Sequence, residues 1–540
     1  MKDYDNAVAF LGQWGRFQLI FFFLLCSTIV PNGFGAFTLI FLTDVPSHQC
    51  LVSDTNITED WHKSIIPVKM VNGKPELSSC SRYRLDVVRN LSALGYIPGR
   101  DVNLTDLEQE NCVDGWSYSK DIYESTVVSE FDLVCSDQWK QPFTTLIFFL
   151  GVVFGSFFSG QLSDRYGRKL VLFVTMAVQT VFVFVQAFAT SWVVFIILLF
   201  INGLAQINYL AALVLGAEVL TGNERIFFSS LGSCLAFAIG YMMLPLFAYF
   251  LRDWKSLLYA LSVPSVVFIP LWWFVPESPR WLISQGRVEE AEAILRKAAK
   301  WNKVQAPNAI FEDCSAETHS KEQYTVLDLL RLSSVRVTTP IVCLMSFSLC
   351  AGYFGLSFNV AQLSADPYIS CFLAALVEIP GYISSWVALR YLPRRLSLIG
   401  CFLLGALPLF FIQLVPENLS NLSLTLELVG KYAFTTGISL IFAYVAELYP
   451  TVLRNTATGI CMAVSRIGSC ASPFVLNLRV YFTYLPYIIL GSLAVLSAFA
   501  TLFLPESFKQ PLPETIQQVE EREKKYILKI PCLICMKSVI

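Results

Sequence analysis

The sequence is poor in charged residues and in histidine. Only 15% of its 540 residues are Asp, Glu, Lys or Arg, whereas 55% are hydrophobic. Soluble domains carry about 25% charged residues, so this balance excludes an ordinary soluble enzyme. The net charge of -2 argues against nucleic acid as a partner, because phosphates require a basic face. The three histidines lie outside the apolar runs, and no nucleophile–base pair or metal-spaced cluster is present, so we expect no catalysis.

The apolar residues are gathered into long runs. The first, residues 17–42, holds no charged residue, and about 20 apolar residues suffice for a helix to cross a bilayer. This run is too long for a cleaved signal peptide and follows acidic residues closely. Eleven further runs lie near 142–162, 170–190, 191–217, 226–250, 257–275, 337–358, 368–389, 397–415, 424–446, 455–478 and 484–504. Because the runs do not alternate as barrel strands do, they predict an all-α membrane protein with twelve transmembrane helices.

Basic residues in the short loops predict the orientation. Lys and Arg collect in cytoplasmic loops. The loops after spans 2, 4, 8 and 10 hold Arg165, Arg168, Lys169, Arg225, Arg394, Arg395 and Arg454. The loops after spans 5 and 11 dissent weakly. We therefore expect both termini to be cytoplasmic and the loop of residues 43–141 to be extracellular.

The predicted extracellular loop has the chemistry of an oxidising compartment. It contains the four cysteines Cys50, Cys80, Cys112 and Cys135. Four such cysteines indicate two disulfides, for which three pairings are possible. The same loop contains three glycosylation sequons, at Asn56, Asn90 and Asn103.

An internal repeat divides the chain. Glu218 and Arg225 recur as Glu447 and Arg454, and Pro276-Glu-Ser recurs as Pro505-Glu-Ser, each at an offset of 229 residues. Such self-similarity predicts two six-helix halves, residues 1–275 and 337–504, joined by a connector at 276–336 and followed by a tail at 505–540. The connector contains an amphipathic stretch from Val288, which we interpret as a solvated helix. Two parallel halves with substrate held between them are the plan of many secondary transporters.

Several motifs carry a family resemblance. The stretch Gly160-Gln-Leu-Ser-Asp-Arg-Tyr-Gly-Arg-Lys169 resembles the signature that follows the second helix in the major facilitator superfamily. Pro276-Glu-Ser-Pro-Arg-Trp-Leu282 resembles the organic ion transporter family. Asp3-Tyr-Asp, Pro31-Asn-Gly33, Arg252-Asp-Trp254 and Ala446-Glu-Leu-Tyr-Pro450 are similar to the novel organic cation/carnitine transporters. The resemblance implies a monomeric plasma-membrane carrier, surrounded by lipid, that works by alternating access.

Arg466 is the residue that we expect to bind substrate. It lies near the middle of a predicted span, where a charge costs about 2.5–3.5 kcal/mol on insertion scales. Its guanidinium would suit a carboxylate, although an internal ion pair is the alternative. By resemblance, an arginine at this place indicates the carnitine-type branch.

Aromatic faces would hold the ammonium group of such a substrate, because ring quadrupoles attract cations. The resemblance to this fold implies that further cavity residues are Asn208, Tyr209, Phe237, Tyr241, Tyr353, Phe442 and Tyr444. Any one of these aromatics could instead serve only in packing.

The resemblance also implies a coupling ion and a set of gates. Sodium would be held or supported by Asn32, Gln179, Gln206 and Glu447, although amides in spans also bond simply between helices. Salt bridges that break and re-form during transport would involve Asp164, Arg165, Arg168, Glu218, Arg225, Glu447 and Arg454. No organic cofactor is expected.

Three departures from the family pattern qualify these assignments. Span 4 reads Gln206-Ile-Asn208-Tyr209, one residue shorter than the related Gln-Ile-Ser-Asn-Tyr, which makes the roles of Asn208 and Tyr209 less secure. The phosphate-loop-like run after span 4 lacks its Lys-Ser or Lys-Thr ending, so we predict no nucleotide site. Asn359 stands where relatives are expected to have an acid. The rival functions are sodium-independent transport of organic cations or a thione-bearing betaine, and a non-transporting receptor or scaffold.

Overall fold

The computed structural model describes residues 2–71, 73–311, 331, 335–363, 366–513 and 516–527. Within these ranges, eleven helices are long and apolar enough to cross a membrane, and a twelfth apolar helix of 17 residues follows them. Spans 1 to 12 are Arg16–Leu42, Cys135–Tyr166, Arg168–Gln186, Trp192–Val219, Gly222–Phe250, Trp254–Trp273, Thr338–Val360, Pro367–Tyr391, Arg394–Leu414, Glu417–Leu448, Thr456–Val480 and Leu485–Thr501. The predicted all-α membrane fold is thereby confirmed.

The two ends of the bundle differ in what they carry. We call the end that carries the N-terminus and the connector the connector face. The opposite end, which we call the loop face, carries the segment between spans 1 and 2, residues 43–134, which we call the long loop. The spans alternate in direction between these faces, so residues at the start of span 3 and at the end of span 4 lie on the connector face.

The long loop is a small folded unit. It contains three two-stranded antiparallel sheets, in which His48–Cys50 pairs with Trp116–Tyr118, Val68–Val71 with Lys74–Leu77, and Ser81–Tyr83 with Gln109–Asn111. Its short helices include Glu59–Ser64, Leu85–Ala93 and Val127–Phe131. The indole of Trp61 is fully buried in the centre of this unit.

Disulfides close the long loop. The bonded pairs are Cys50–Cys112 and Cys80–Cys135, which selects one of the three pairings that the sequence left open. The three sequon asparagines, Asn56, Asn90 and Asn103, are all exposed.

The connector packs against the N-terminus. Its helices are Pro279–Ser284 and Val288–Asn302. On the second helix, Leu295 and Ala298 are buried against Val8 and Leu11 of the N-terminal segment. The expectation of a solvated helix was therefore wrong for one face, because the N-terminal segment supplies an apolar surface that covers it. Residues 312–330 and 332–334 of the predicted connector lie outside the described residues.

Close backbone contact joins spans 1 and 5. A Cβ added to Gly33 would lie 2.1 Å from the carbonyl oxygen of Phe237, and one added to Gly240 would lie 2.0 Å from that of Val30. Only glycine permits this approach, which is how helices in lipid gain packing without a hydrophobic driving force. Spans 7 and 11 pack closely in the second half, where Gly468 approaches the Phe347 carbonyl. The halves meet between spans 5 and 8 and between spans 2 and 11.

Two spans are irregular. The sequence predicts a continuous fourth helix over 191–217, but the structure divides it into Trp192–Leu204 and Ile207–Val219. This break falls at the position where the sequence is one residue shorter than the family pattern. A turn between the two helices accommodates the missing residue. Span 5 contains a π-helical turn, Phe228–Gly232, between the α-helical segments Gly222–Phe227 and Ser233–Phe250, and such turns often mark functional sites.

Candidate functional site

A fully buried ion pair lies between the middle segments of spans 8 and 10. The Lys431 Nζ is 3.0 Å from the Glu378 Oε1, and neither side chain is exposed. The same ammonium donates to the Ser357 hydroxyl at 2.5 Å, and the Tyr353 hydroxyl donates to the same Glu378 oxygen. From the sequence we expect Arg466 to be the only charge near the middle of a span, and the buried pair shows that this expectation is wrong. Lys431 and Glu378 were not identified because a few charges in runs of this length leave the runs apolar on average.

Three aromatic rings surround the Lys431 ammonium. Its Nζ lies 4.1 Å from the ring centroid of Tyr353, 5.2 Å from that of Tyr241 and 5.7 Å from that of Phe37. The rings of Phe37 and Tyr241 are stacked, with their centroids 3.9 Å apart. We call these three rings together with Glu378 the cage. Phe37 and Tyr241 belong to the first half and the rest to the second, so the cage is assembled across the interface between the halves.

Arg466 lies in the interior of the bundle, near the middle of span 11. Its side chain is half-buried, and its charge acts on Tyr209 of span 4 and Cys350 of span 7. Among the described residues, its guanidinium has no hydrogen bond or ion pair. The alternative role of a structural ion pair therefore finds no support in the described part of the chain.

The other predicted substrate residues divide into two groups. Phe237 connects to the central cluster, with its ring centroid 6.0 Å from that of Tyr209 and 6.1 Å from that of Phe37. Tyr444, by contrast, donates its hydroxyl to the Pro505 carbonyl at 2.6 Å, towards the connector face. Phe442 packs against the main hydrophobic core. Neither span 10 residue contributes a ring to the cage.

Buried amides form a second cluster within the first half. Asn208 donates to the Gln179 Oε1 at 2.7 Å, and both Gln179 and Gln206 approach Gly35 of span 1. The Asn32 amide and the Gln206 Nε2 are buried without a hydrogen-bond partner in the described residues. Gln179 and Gln206 of this cluster line a cavity among spans 1, 2, 3, 4 and 6. Unsatisfied polar groups are costly when dry, so the cluster is suited to a bound ion or to water.

The predicted gating residues of the first half form a network on the connector face. The Arg168 guanidinium donates to Glu218 at 3.2 and 3.0 Å and pairs with Asp164 at 2.8 Å. Ser278 donates its hydroxyl to the second Glu218 oxygen. Glu277 accepts the backbone N–H of Arg168 at 3.1 Å, so the negative charge lies at the N-terminus of span 3, where the helix dipole favours it.

The second half builds the same network. The Arg394 guanidinium donates to Glu447 twice at 3.2 Å, and Ser507 donates to Glu447 at 2.6 Å. Glu506 accepts the backbone N–H groups of Arg394 and Arg395 at 2.9 and 3.1 Å. Both glutamates and the serine of the first network have mates in the second at the 229-residue offset, whereas Asp164 has none, because position 393 is a proline. Glu447 thus lies in this network and away from the amide cluster with which the sodium hypothesis grouped it.

The remaining predicted gating arginines have other partners. Arg225 and Arg280 both pair with Asp5, at 2.9 and 2.5 Å. Burial acts to raise the pKa of Asp5, but the hydrogen bonds and charges of these two arginines outweigh it and hold that pKa below its ordinary value. Arg454 donates to the Ala446 carbonyl at 2.7 Å, and Arg165 lies over the ring of Tyr166.

Asn359 belongs to a further buried cluster near the loop face. Its amide donates to Glu427 at 2.9 Å and to the Tyr487 hydroxyl at 2.6 Å, while Arg479 donates to its oxygen. Glu427 is fully buried and is not among the site residues predicted from the sequence. The family pattern led us to expect an acid at position 359. Asn359 stands there instead, and the acid of this cluster is Glu427 on span 10.

Aromatic contacts join the halves at the loop face. Tyr368, at the start of span 8, is stacked on Phe41 of span 1 with ring centroids 5.5 Å apart. Its hydroxyl donates to the Ile122 carbonyl of the long loop at 2.8 Å, and its ring also meets Tyr123 and Tyr249. Because these partners all belong to the first half, the bundle is closed above the cage at this face.

Comparison with known proteins agrees with this architecture. The family described as "Sugar (and other) transporter" matches residues 115–518. "Organic cation/carnitine transporter 2" of Rattus norvegicus and that of Homo sapiens are each 50% identical over 524 residues, covering 96% of this chain and 94% of the relative. "Solute carrier family 22 member 4" of Mus musculus is 49% identical over 526 residues, covering 96% and 95%.

Solved structures share the fold. The partially occluded inward-open conformation of the xylose transporter XylE from E. coli aligns with a TM-score of 0.60 at 17% identity, covering 91% of this chain and 99% of that chain. A second structure of XylE, bound to a bromo-deoxy-glucose, aligns with a TM-score of 0.52 at 20% identity, covering 71% and 90%. The chain therefore belongs to the sugar (and other) transporter family of the major facilitator superfamily, and it is a multi-pass membrane transporter rather than an enzyme.

Proposed function

We propose that this protein carries carnitine, or a similar quaternary ammonium solute that is zwitterionic or cationic, across the plasma membrane. The observation that supports this most is the guanidinium of Arg466, which is unpaired among the described residues and lies inside the bundle. A charge at this depth is costly unless it has a purpose, and a guanidinium forms two parallel hydrogen bonds with a carboxylate. The relatives named as organic cation/carnitine transporters support the same substrate class.

The ammonium end of the substrate would be held by aromatic faces. Tyr209 lies within the field of the Arg466 charge, and Phe237 adjoins both Tyr209 and the cage. A zwitterion with its carboxylate on Arg466 could therefore direct its cation towards these rings. Each ring face contributes about 0.5–2 kcal/mol to binding a desolvated cation.

We further propose that sodium accompanies the substrate and binds at the amide cluster. Asn32, Gln179 and Gln206 offer the uncharged oxygen ligands that a hard cation accepts, and the Asn32 Oδ1 is buried without a hydrogen-bond partner among the described residues. Glu447 would support this site only indirectly, by fixing the position of span 10 on the connector face.

Alternating access would operate by rocking one half against the other. In this proposal the connector face is cytoplasmic and the long loop, glycosylated at its three exposed asparagines, is extracellular. The Tyr368 contacts close the extracellular side, while the networks around Glu218 and Glu447 hold each half together on the cytoplasmic side. These networks would loosen and re-form as the carrier, working as a monomer, reorients.

The test is uptake into proteoliposomes with the purified chain. We expect carnitine uptake that rises with an inward sodium gradient and falls at least tenfold in Arg466→Ala. Arg287→Ala is the matched control, because among the described residues Arg287 pairs with Glu290 alone, and both side chains are about half exposed. Uptake by Arg466→Ala equal to that of the control would refute the assignment of Arg466. Uptake that ignores the sodium gradient would refute the amide cluster as a coupling site.

A second candidate is sodium-independent transport of simple organic cations or of an ergothioneine-type betaine. The Glu378 carboxylate in the cage favours it, since a cation without a carboxylate could pair with Glu378 in place of Lys431. Competition between carnitine, tetraethylammonium and a thione-bearing betaine, each measured with and without sodium, separates the two candidates. Failure to move any solute in such a screen would instead favour a receptor or scaffold.

A further inference from the structure

The cation that occupies the cage is part of the protein. The Lys431 ammonium has a carboxylate at 3.0 Å, a hydroxyl at 2.5 Å and three ring faces within 5.7 Å. This is the full set of partners that a bound organic cation would require. Because neither Lys431 nor Glu378 is exposed, water does not compensate either charge in this arrangement.

Emptying the cage costs free energy, because Lys431 and Glu378 neutralise each other. Removing one member of a buried ion pair leaves an uncompensated charge, which is strongly destabilising. A second cation cannot enter beside Lys431, because two like charges would share one carboxylate. An incoming cation must therefore replace the lysine ammonium, and the lysine must find other partners.

We propose that Lys431 is a tethered competitor, a built-in cation that holds the cage until an organic cation displaces it, and so sets which cations this carrier accepts. This inference rests on the proposed transport of quaternary ammonium solutes and extends it to a specificity-determining residue. A quaternary ammonium group has the advantage over lysine on ring faces, because it loses less hydration, whereas lysine has the advantage of its tether. Small, strongly hydrated amines would fail to displace it.

The competition has a measurable size. When the open form of a site is only fractionally populated, the apparent dissociation constant equals the intrinsic value divided by that fraction. Because Lys431 occupies the cage, only a small fraction of molecules has the cage open to another cation. We take about one tenth as the upper bound of this fraction. Removing the ammonium should therefore tighten the binding of a simple cation by about tenfold or more.

The experiment measures binding of tetraethylammonium to the purified full chain in nanodiscs. The variants are Lys431→Met, Lys431→Arg, Glu378→Gln and the charge-neutral double variant Lys431→Met with Glu378→Gln. Lys297→Met is the matched control, because Lys297 also lies over an aromatic ring, that of Trp301, but on the exposed connector helix. Folding is checked by monodisperse elution for each variant.

We expect Lys431→Met to bind tetraethylammonium about tenfold more tightly than the unmodified chain, and Lys431→Arg to keep the weaker binding because it keeps a tethered cation. If Lys431→Met does not fold, the double variant, which buries no unpaired carboxylate, should still bind more tightly than Glu378→Gln alone. Equal affinities in each comparison would overturn the proposal, as would absence of tetraethylammonium binding in every variant.

The outcome is separable from that of the proposed function. Carnitine uptake by the unmodified chain tests transport, whereas the affinity ratio between variants tests the lysine. A chain that transports carnitine but shows no change in Lys431→Met refutes only the competitor. A chain that transports nothing but binds tetraethylammonium more tightly in Lys431→Met refutes only the transport proposal.

Discussion

Neutralising Glu218 and Glu447 should cost the protein equal amounts of stability. Each carboxylate accepts two guanidinium hydrogen bonds and one from a serine hydroxyl, and their side chains are 19% and 23% exposed. Hydrogen bonds to charged groups contribute about 1.5–3 kcal/mol, and a glutamine retains part of this bonding without the charge. We therefore expect Glu218→Gln and Glu447→Gln each to lower the free energy of unfolding by about 2–3 kcal/mol.

The assay is thermal unfolding of the purified chain in detergent, followed with a thiol-reactive dye that reports the buried cysteines. Because the two networks share no residue, the double variant should show the sum of the two losses. Glu290→Gln is the control, since the exposed Arg287–Glu290 pair is worth less than about 1 kcal/mol. The reasoning fails if one glutamate is indistinguishable from this control while its repeat mate is not.

Three further predictions concern the loop, the interface and the N-terminus. Cys80→Ser should lower the stability of the long loop by about 2–4 kcal/mol by opening a 55-residue separation, measured as loss of cell-surface protein. Tyr368→Ala should open the loop face and so speed the modification of Cys371, a buried cysteine one turn further along span 8, by a membrane-impermeant thiol reagent. Mass spectrometry measures the rate of modification, and an unchanged rate would contradict the closure of this face by Tyr368. Because the pKa of Asp5 is lowered in the folded chain, its contribution is present above the ordinary aspartate value of about 4 and lost as the pH falls through the lowered pKa. Protection of the connector from protease should then fall in acid, and Asp5→Asn should show the weak protection at every pH.

The sequence was a sufficient guide to the spans and to the repeat. Apolar runs of membrane length leave little choice of secondary structure in lipid, because every backbone polar group must be satisfied internally. The 229-residue offset was visible because the glutamates and the Pro-Glu-Ser turns perform the same contacts in each half, around Glu218 and around Glu447. The disulfide pairing was not accessible, since four cysteines in one loop are equivalent until the loop is folded.

The centre of the molecule was predicted less well. Arg466 was identified because a single charge in a span is conspicuous, and its inward position is what the cost of a lipid-facing charge requires. Lys431 and Glu378 lie on different spans, and only the packing of spans 8 and 10 shows that they neutralise each other. Tyr444 was predicted to bind substrate because it lies in span 10. Its position along that helix, however, brings its hydroxyl to the Pro505 carbonyl.

The glycine contact between spans 1 and 5 has a mechanical consequence for the cage. Where two helix backbones touch, neither helix can slide or rotate without a steric clash. The contact at Gly33 and Gly240 therefore makes spans 1 and 5 move as one rigid unit. Phe37 and Tyr241 lie on these two helices, so we expect their rings to stay stacked when the two halves move. The cage can therefore change shape only when Tyr353, Glu378 and Lys431 are displaced. The first half thus supplies the fixed side of the cage, and the second half supplies the side that moves.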